Sequence, residues 1–400
     1  MSLYGTMRTG VSGMNAQANR LGTVAENIAN SSTVGYKKAS VQFSSMILPT
    51  TAGAYNSGGV ETNVRYSISS QGTFSYTTSS TDLAINGDGF FIVKGSDGVD
   101  YLTRAGSFVI QDDGTLKNSA GYTLMGYEYS STADPTIVVN GFNGLEPINL
   151  SSASISATAS TAGALNVNLP SSTAVGDSEA TSLVAYDSQG NSRLIEFTYT
   201  KTGVNAWSVT ANYAGPPATV VVPPTAVTFD ANGQIVSPTS LTTTAFVVDG
   251  ANMASMEIST GISTQLAADF SVEEGEINGN AASEVVGYEI DAGGVVSVVY
   301  DNGDLTPRFR VALASVQSPD NLNPVAGNLY TQSNSSGVIV MGYAGTSGFG
   351  SIISGALEDS NVDVAEELTA MIESQRNYTA NSKVFQTGSE LMEVLVNLKR

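Results

Sequence analysis

"MRTGVSGMNAQANRLGTVAENIAN", residues 7–30, decides how this chain folds. It reads as one helix, yet Gly10, Gly13 and Gly22 interrupt it. A glycine inside a helix costs about 1 kcal/mol relative to alanine. The apolar positions are Tyr4, Met7, Val11, Met14, Ala18, Leu21, Ala25 and Ile28, with gaps of 3, 4, 3, 4, 3, 4 and 3. That alternation is the a/d seam of a coiled coil. Such a helix is weak alone and regular in its apolar pattern, so it is built to be held by partners. Its small residues permit close approach of a neighbouring backbone.

Helical periodicity returns only at the far end, in "SNVDVAEELTAMIESQRNYTANSKVFQTGSELMEVLVNLKR", residues 360–400. Asp363 is placed to cap the helix, with Glu366 three residues on as its capping-box partner. Glu366 and Glu367 suit the positive end of the helix dipole, and Lys399 and Arg400 the negative end. Met371, Tyr378, Phe385 and Met392 recur every seven residues, accompanied by Leu368, Gln375, Ser382, Ser389 and Val396. The plain reading is an antiparallel helix pair closing one globular domain. The sharper reading, favoured by the narrow seam and its small residues, is a bundle that also packs against copies of itself.

Between the helices the pattern is β. Turn pairs recur at Asn86-Gly87, Asp88-Gly89, Asp97-Gly98, Asp113-Gly114, Asn232-Gly233 and Asn302-Gly303, supplying the φ > 0 positions of tight hairpins. "GFFIV" (89–93) and "LIEFTYT" (194–200) read as strands, the second with Ile195, Phe197 and Tyr199 inward. The Ser/Thr-rich run from 146 to 180 is read as weakly packed edge strands and loops. "GPPATVVVPPTAV" (215–227) is read as an outer loop or edge strand, because proline cannot donate to a ladder.

Composition narrows the function. The chain has 400 residues, no cysteine, no histidine and a formal charge of −20. Disulfides, thiolate sites and histidine-based catalysis are excluded. The acidic balance disfavours nucleic acid and anionic membranes as partners. There is no Gly-Lys dipeptide for a P-loop and no G-x-S-x-G elbow, and the glycine run 342–350 has the wrong spacing for a dinucleotide. Asp112, Asp113 and Asp187 stand in turn contexts and are read as turn formers, not metal ligands. No catalytic, cofactor-binding or metal site is expected, and the chain is read as a non-enzyme. No apolar run spans a bilayer and no cleaved secretory signal is visible.

Ser12-Gly13-Met14-Asn15-Ala16, Leu21, Asn27-Ile28-Ala29-Asn30, Thr33 and Gly35-Tyr36-Lys37 together resemble the N-terminal signature of the bacterial flagellar rod and hook proteins. "SNVDVAEELTAMIESQRNYTAN" (360–381), with Asn361 and Asp363, resembles the matching C-terminal signature. "STDLAINGDGFFIV" (80–93) and "YLTRAGSFVIQDDGTLKNSAGYTLMGY" (101–127) resemble the β unit just inside. "SLVAYDSQGNSRLIEFTYT" (182–200) looks like the start of the outer domain found in hook members.

The resemblance implies a mixed, mainly β fold, with discontinuous β domains nested between terminal helices that pair into a coiled-coil-like inner layer. Its implied divisions are 1–30 with 361–400 as the helical tube domain, 31–70 as an extended connector, 71–145 with 285–360 as the β core, and 146–284 as an inserted outer β domain. It implies a homopolymeric tube, a flexible joint that passes torque from rod to filament around a central export channel. Tyr4, Met7, Val11, Met14, Leu21, Ile28, Leu368, Met371, Tyr378, Phe385, Met392 and Val396 would carry self-assembly. Implied partners are the chain itself, the distal rod, hook cap and hook–filament junction proteins, and the flagellar export apparatus. The implied location is extracellular, on the flagellum, reached without a cleaved signal peptide. The alternatives are a distal rod subunit, which would need no outer domain, and a secreted β-rich adhesin, which would need no matched terminal helices.

Overall fold

A computed structural model describes residues 3–46, 58–130, 141–151, 155–346 and 348–398. Two helices bracket a long β region: α1, Leu3–Ala29, and α2, Val364–Leu398. The chain divides into two compact units. One holds residues 1–152, 287–299 and 305–400, and the other holds 153–286 and 300–304.

The second unit is built on an antiparallel five-stranded sheet in simple sequence order: Ser178–Tyr186, Ser192–Gly203, Ala206–Tyr213, Thr219–Phe229 and Ile235–Ser237. Its core gathers Leu165, Val167, Ile195, Phe197, Tyr199 and Trp207, all buried. Ile195, Phe197 and Tyr199 point inward and Glu196 outward, as the alternation requires. The Pro223-Pro224 stretch lies where the strand Thr219–Phe229 slips register against Ala206–Tyr213, and its ladder to the fifth strand begins only at Thr228. One expectation is corrected here. Ala162–Asn168, inside the Ser/Thr-rich run, is not an edge strand: it sits between Glu257–Ser259 and Ser271–Ile277, with Leu165 and Val167 buried. Leu165 and Val167 carry it into the core, and its asparagines are taken up by Glu274 and Thr264.

The hairpins share one chemistry. Asn118, Asp187, Asp230 and Asp291 each accept, through Oδ1, the amides two and four residues on. The glycine at the fourth position takes φ of 84°, 80°, 78° and 81°. These are three-residue loops with a single left-handed position, not two-residue turns with two. Asp113 likewise accepts from the Thr115 amide and hydroxyl, so it and Asp187 act as turn formers.

In the first unit the central sheet runs Leu305–Ser315, Thr123–Glu128, Phe90–Lys94, Asp100–Thr103, Leu329–Thr331 and Asn323–Val325. "FFIV" is buried on both faces: Phe91 and Val93 enter one core, Phe90 and Ile92 the other. The chain enters and leaves this core side by side, with Phe74–Tyr76 paired to Ala356–Glu358 and Leu83–Asn86 to Ser351–Ser354.

Glu358, at the end of that paired stem, has no exposed surface. Its Oε1 accepts from Lys37 Nζ at 2.6 Å and from the Gly72 amide at 2.9 Å, and its Oε2 lies 3.3 Å from Arg104 Nη1. Lys37 also donates to the Ser70 carbonyl (2.6 Å) and Arg104 to the Gly87 carbonyl (2.8 Å). Burial pulls both cations below their ordinary pKa, and Glu358 opposes that in each case.

The segment 31–70, expected as an extended connector, is a long hairpin where it is described; 47–57 lie outside the described residues. Strands β1, Ala39–Met46, and β2, Gly59–Tyr66, pair antiparallel from Ala39↔Tyr66 to Met46↔Gly59. The hairpin lies along α1, where Ser12 Oγ donates to the Val60 carbonyl (2.9 Å) and accepts its amide (2.8 Å). A strand pair finds along a helix the partners that a bare connector would lack.

Two outcomes are expected. Glu358→Gln leaves two buried cations on a neutral acceptor, and lowers the stability of the first unit by about 3–5 kcal/mol in chemical denaturation; a loss below about 1 kcal/mol refutes the bridging role. Asp187 is fully buried and bonds Arg193 Nε at 3.0 Å. Burial alone would raise its pKa, but hydrogen bonds from the Asn191 and Gln189 amides and Arg193 hold it below 3.8. A depressed carboxylate stabilises the fold above its unfolded value, and that contribution disappears as pH falls through the folded one. Trp207, the sole tryptophan and a core residue of this unit, therefore reports stability that declines below about pH 4, and Asp187→Asn flattens the decline.

Candidate assembly surface

The two helices pack antiparallel along a seam of small residues. A Cβ built on Gly10 would stand 3.4 Å from the Asn381 carbonyl, one on Gly13 2.7 Å from Asn381 Nδ2, and one on Gly388 2.7 Å from Met7 Cγ. Arg20 Nη2 reaches Glu373 at 3.0 Å across the pair. Gly22 meets nothing within 4 Å.

The expected α1 seam is not the buried face. Tyr4 (74% exposed) and Val11 lie outward, Met7, Met14, Leu21 and Ile28 are half-buried, and the buried positions are Gly10, Ala16, Val24 and Asn27. Small side chains face inward because α2 and the hairpin come too close for large ones. In α2 the seven-residue series is not a buried seam: Met371 and Phe385 are half-buried but Tyr378 and Met392 are exposed, and the buried positions fall one residue before the expected companions. Glu367, Ser374 and Gly388 are buried, whereas Leu368, Gln375, Ser389 and Val396 are exposed. Gln17 Oε1 and Ser374 Oγ are buried with no hydrogen-bond partner among the described residues. Each such group costs about 1–3 kcal/mol. Much of α2 is uncovered: Ile372, Val384, Leu391, Val394 and Leu395 are all at least half exposed.

The signature residues form the joint between helices and core. Asn27 Nδ2 donates to the Ala39 carbonyl (2.7 Å), while Asn27 Oδ1 accepts from the Ala39 amide (3.0 Å) and the Tyr36 hydroxyl (3.1 Å). Asn361 does the same one residue earlier: its Oδ1 accepts from the Lys38 amide (2.7 Å), and its Nδ2 donates to the Ser67 and Ser70 carbonyls. Two side-chain amides thus take the place of strand neighbours at the root of the hairpin. Burial and the nearby Glu26 push the Tyr36 phenol up to about 12. Gly35 takes φ +69°, and a Cβ there would stand 2.5 Å from the Ala105 amide, so no side chain fits. Asn30 closes the last turn of α1, donating to the Glu26 carbonyl and accepting from Thr33 Oγ1.

Asp363 caps α2, accepting the Ala365 and Glu366 amides at 2.8 and 3.2 Å. Glu366 is not its capping-box partner; it and Glu367 bind Lys38 Nζ at 3.0 and 2.9 Å. Burial lowers the Lys38 ammonium, but these two carboxylates outweigh it and hold the pKa above the ordinary lysine value. Lys399 and Arg400 lie outside the described residues. Sequence reasoning missed Arg104, Glu358 and Lys38, and placed Glu367 only at the helix dipole and not against Lys38. A lone charge within a strand-like stretch, as in "YLTRAGSF", was the available signal for Arg104; Glu358, followed by Asp359, carried none.

Four family models match the chain in order: flagella basal body rod protein over residues 7–37, flagellar hook protein FlgE/F/G D1 domain over 84–167, flagellar basal body protein FlaE D2 domain over 149–280, and flagellar basal body rod FlgEFG protein C-terminal over 353–398. The flagellar hook protein FlgE of Rhizobium meliloti is 59% identical over the whole of both chains. That of Salmonella typhimurium is 32% identical, covering 97% of this chain and 98% of its own. A crystal structure of the Helicobacter pylori flagellar hook protein FlgE2 shares the fold, with TM-score 0.53 at 15% identity over 70% of this chain and 98% of its own. With full-length identity this high, and with β units nested between paired terminal helices, the chain belongs to the flagellar hook protein family, the structural proteins of the flagellar hook.

Proposed function

We propose that the chain polymerises through its terminal helices into the hook, a tubular joint that bends while passing torque from rod to filament. One observation carries this: α2 runs for 35 residues, yet among those whose burial is described only Glu367, Ser374 and Gly388 are buried within the chain. A helix with apolar residues on several exposed faces is a helix awaiting neighbours. The self-assembly residues are Tyr4, Val11, Leu368, Tyr378, Met392 and Val396 at the exposed positions, with Met7, Met14, Leu21, Ile28, Met371 and Phe385 beside them. The division into helical tube, β core and inserted outer domain, with the hairpin between tube and core, follows the same reading. So does a central channel lined by the helices.

Further steps rest on the family. The chain leaves the cell through the flagellar export apparatus without a cleaved signal peptide. It meets the distal rod protein below, the cap protein during growth and the hook–filament junction protein above. It has no enzymatic role. A hook subunit is favoured over a rod subunit by the second unit, which carries a full core of its own around Trp207.

Removing residues 364–400 is expected to leave a soluble monomer with unchanged Trp207 emission that forms no filaments. Filaments of normal morphology from that variant would overturn the reading. The helix pair, packed on glycine, serine and asparagine with two unpaired polar groups, is weak in isolation. Amide exchange in the dilute monomer is accordingly expected to be fast across 7–28 and slow across 90–94, and to slow across 7–28 on polymerisation. Strong protection of 7–28 in the monomer would contradict this.

A further inference from the structure

Beside α1 runs a groove of about 550 Å³, walled by Tyr4, Met7, Val11, Val60 and Phe385, with Arg8 at its rim. Arg8 is exposed and forms no ion pair among the described residues. The same chain carries an apolar stripe with nothing upon it. Leu391, Val394 and Leu395 follow the i, i+3, i+4 spacing of one helix face, at 51%, 55% and 59% exposure. Glu390 flanks that stripe, also exposed and without an ion pair among the described residues.

The stripe cannot reach its own groove. Phe385 is part of the groove wall, and α2 continues from it as a helix. At 1.5 Å per residue, Leu391 stands about 9 Å and Leu395 about 15 Å further along the axis. Nor does the rest of the pair supply a cover. Gly388 packs on Met7 and Phe385 on Gly10, so the register carries residues past Met392 beyond Leu3, where α1 begins.

We infer that this groove receives the Leu391–Leu395 end of α2 from a second copy of the chain, with Arg8 of the groove facing Glu390 of the incoming helix. This rests on the polymer reading above and names the segment that would execute it. The mode is an amphipathic helix seated in an apolar groove, anchored by its spaced apolar side chains. The charges at groove rim and stripe flank are opposite, which sets orientation and disfavours the reverse insertion. Donor and acceptor surfaces differ, so the contact is head-to-tail. A head-to-tail contact whose rotation does not close on itself generates an open helical polymer.

The test uses the full chain and filament formation scored by electron microscopy and sedimentation. Arg8→Glu and Glu390→Arg, each alone, are expected to raise the critical concentration about tenfold or more. Equimolar mixing of the two variants should restore assembly, because each reversed groove then meets a reversed stripe. The absence of cysteine permits a second readout. Val11→Cys with Leu395→Cys in one chain should give a ladder of covalent multimers on oxidation of the polymer, while either cysteine alone gives none above a dimer. Circular dichroism and Trp207 emission establish that each variant is folded. Charge-reversed variants that each assemble as well as the wild type, or a double-cysteine polymer that gives no ladder on oxidation, overturn the docking and leave hook assembly standing. A wild-type chain that never polymerises overturns the reading beneath it.

Discussion

A single carboxylate with no exposed surface organises the base of both helices. Glu358 draws in Lys37 from the segment after α1, Arg104 from the β core and the Gly72 amide from the entering side of the stem. Buried charge is unfavourable unless its valences are filled; here Glu358, Lys37 and both Arg104 Nη atoms have partners, while Arg104 Nε is buried with none among the described residues. The second cation is balanced by carbonyls at Ile85 and Gly87, and Arg104 also stacks 5.2 Å over the Phe90 ring. None of these groups can leave without stranding the others. The stretch between α1 and β1 and the stretch before α2 are therefore fixed to the same point of the core, although Lys37 and Glu358 stand 321 residues apart in sequence.

Around that point, Asn27 and Asn361 do with side chains what a neighbouring strand would do with backbone. They hold the adjacent residues Lys38 and Ala39 from opposite sides. Lys38 then reaches Glu366 and Glu367 in the first turn of α2. The joint is polar and dense, with Arg104 Nε its one buried nitrogen lacking a partner among the described residues. The helix pair that springs from it is packed differently: glycine meets backbone at Gly10 and side chains at Gly13 and Gly388, and Gln17 Oε1 and Ser374 Oγ lack partners among the described residues. Rigidity is concentrated where the helices are rooted and falls away along their length.

The parts of this design that repeat locally were legible in the sequence. The alternation in "LIEFTYT" is encoded within a few residues, and so is the left-handed glycine of the Asn232-Gly233 turn, though not the three-residue form of its hairpin. The direction of the α1 seam was not, because periodicity marks where large apolar residues fall and not which face a neighbour can approach. In α1 the neighbours come closest at Gly10 and Gly13, so the large residues sit at the flanks. The signature residues were recognisable as a pattern, but their meaning lay in contacts to Glu358 and Arg104. Nothing short-range announces a partner more than 250 residues away. Ala162–Asn168 was misread for a related reason: a strand takes a central place by what pairs with it on either side, and its own composition looked like that of a loop.

A joint that holds and helices that yield have a consequence for a bending tube. Curvature requires subunits on the inner and outer arcs to differ in their contacts. Contacts built on interlocked buried charge resist that, since a shift of about 1 Å strands an ion at a cost of several kcal/mol. Contacts of small residues along a helix groove change register or tilt with little change in buried area, because no large knob must leave its hole. If the polymer reading holds, bending is absorbed along the helices and between copies, while each subunit's core and stem move as one body. The buried Glu358 network would then do more than stabilise the monomer: by keeping helix roots fixed to the β core, it converts rotation of that core into displacement of the tube wall, which is what transmission of torque through a curved tube requires.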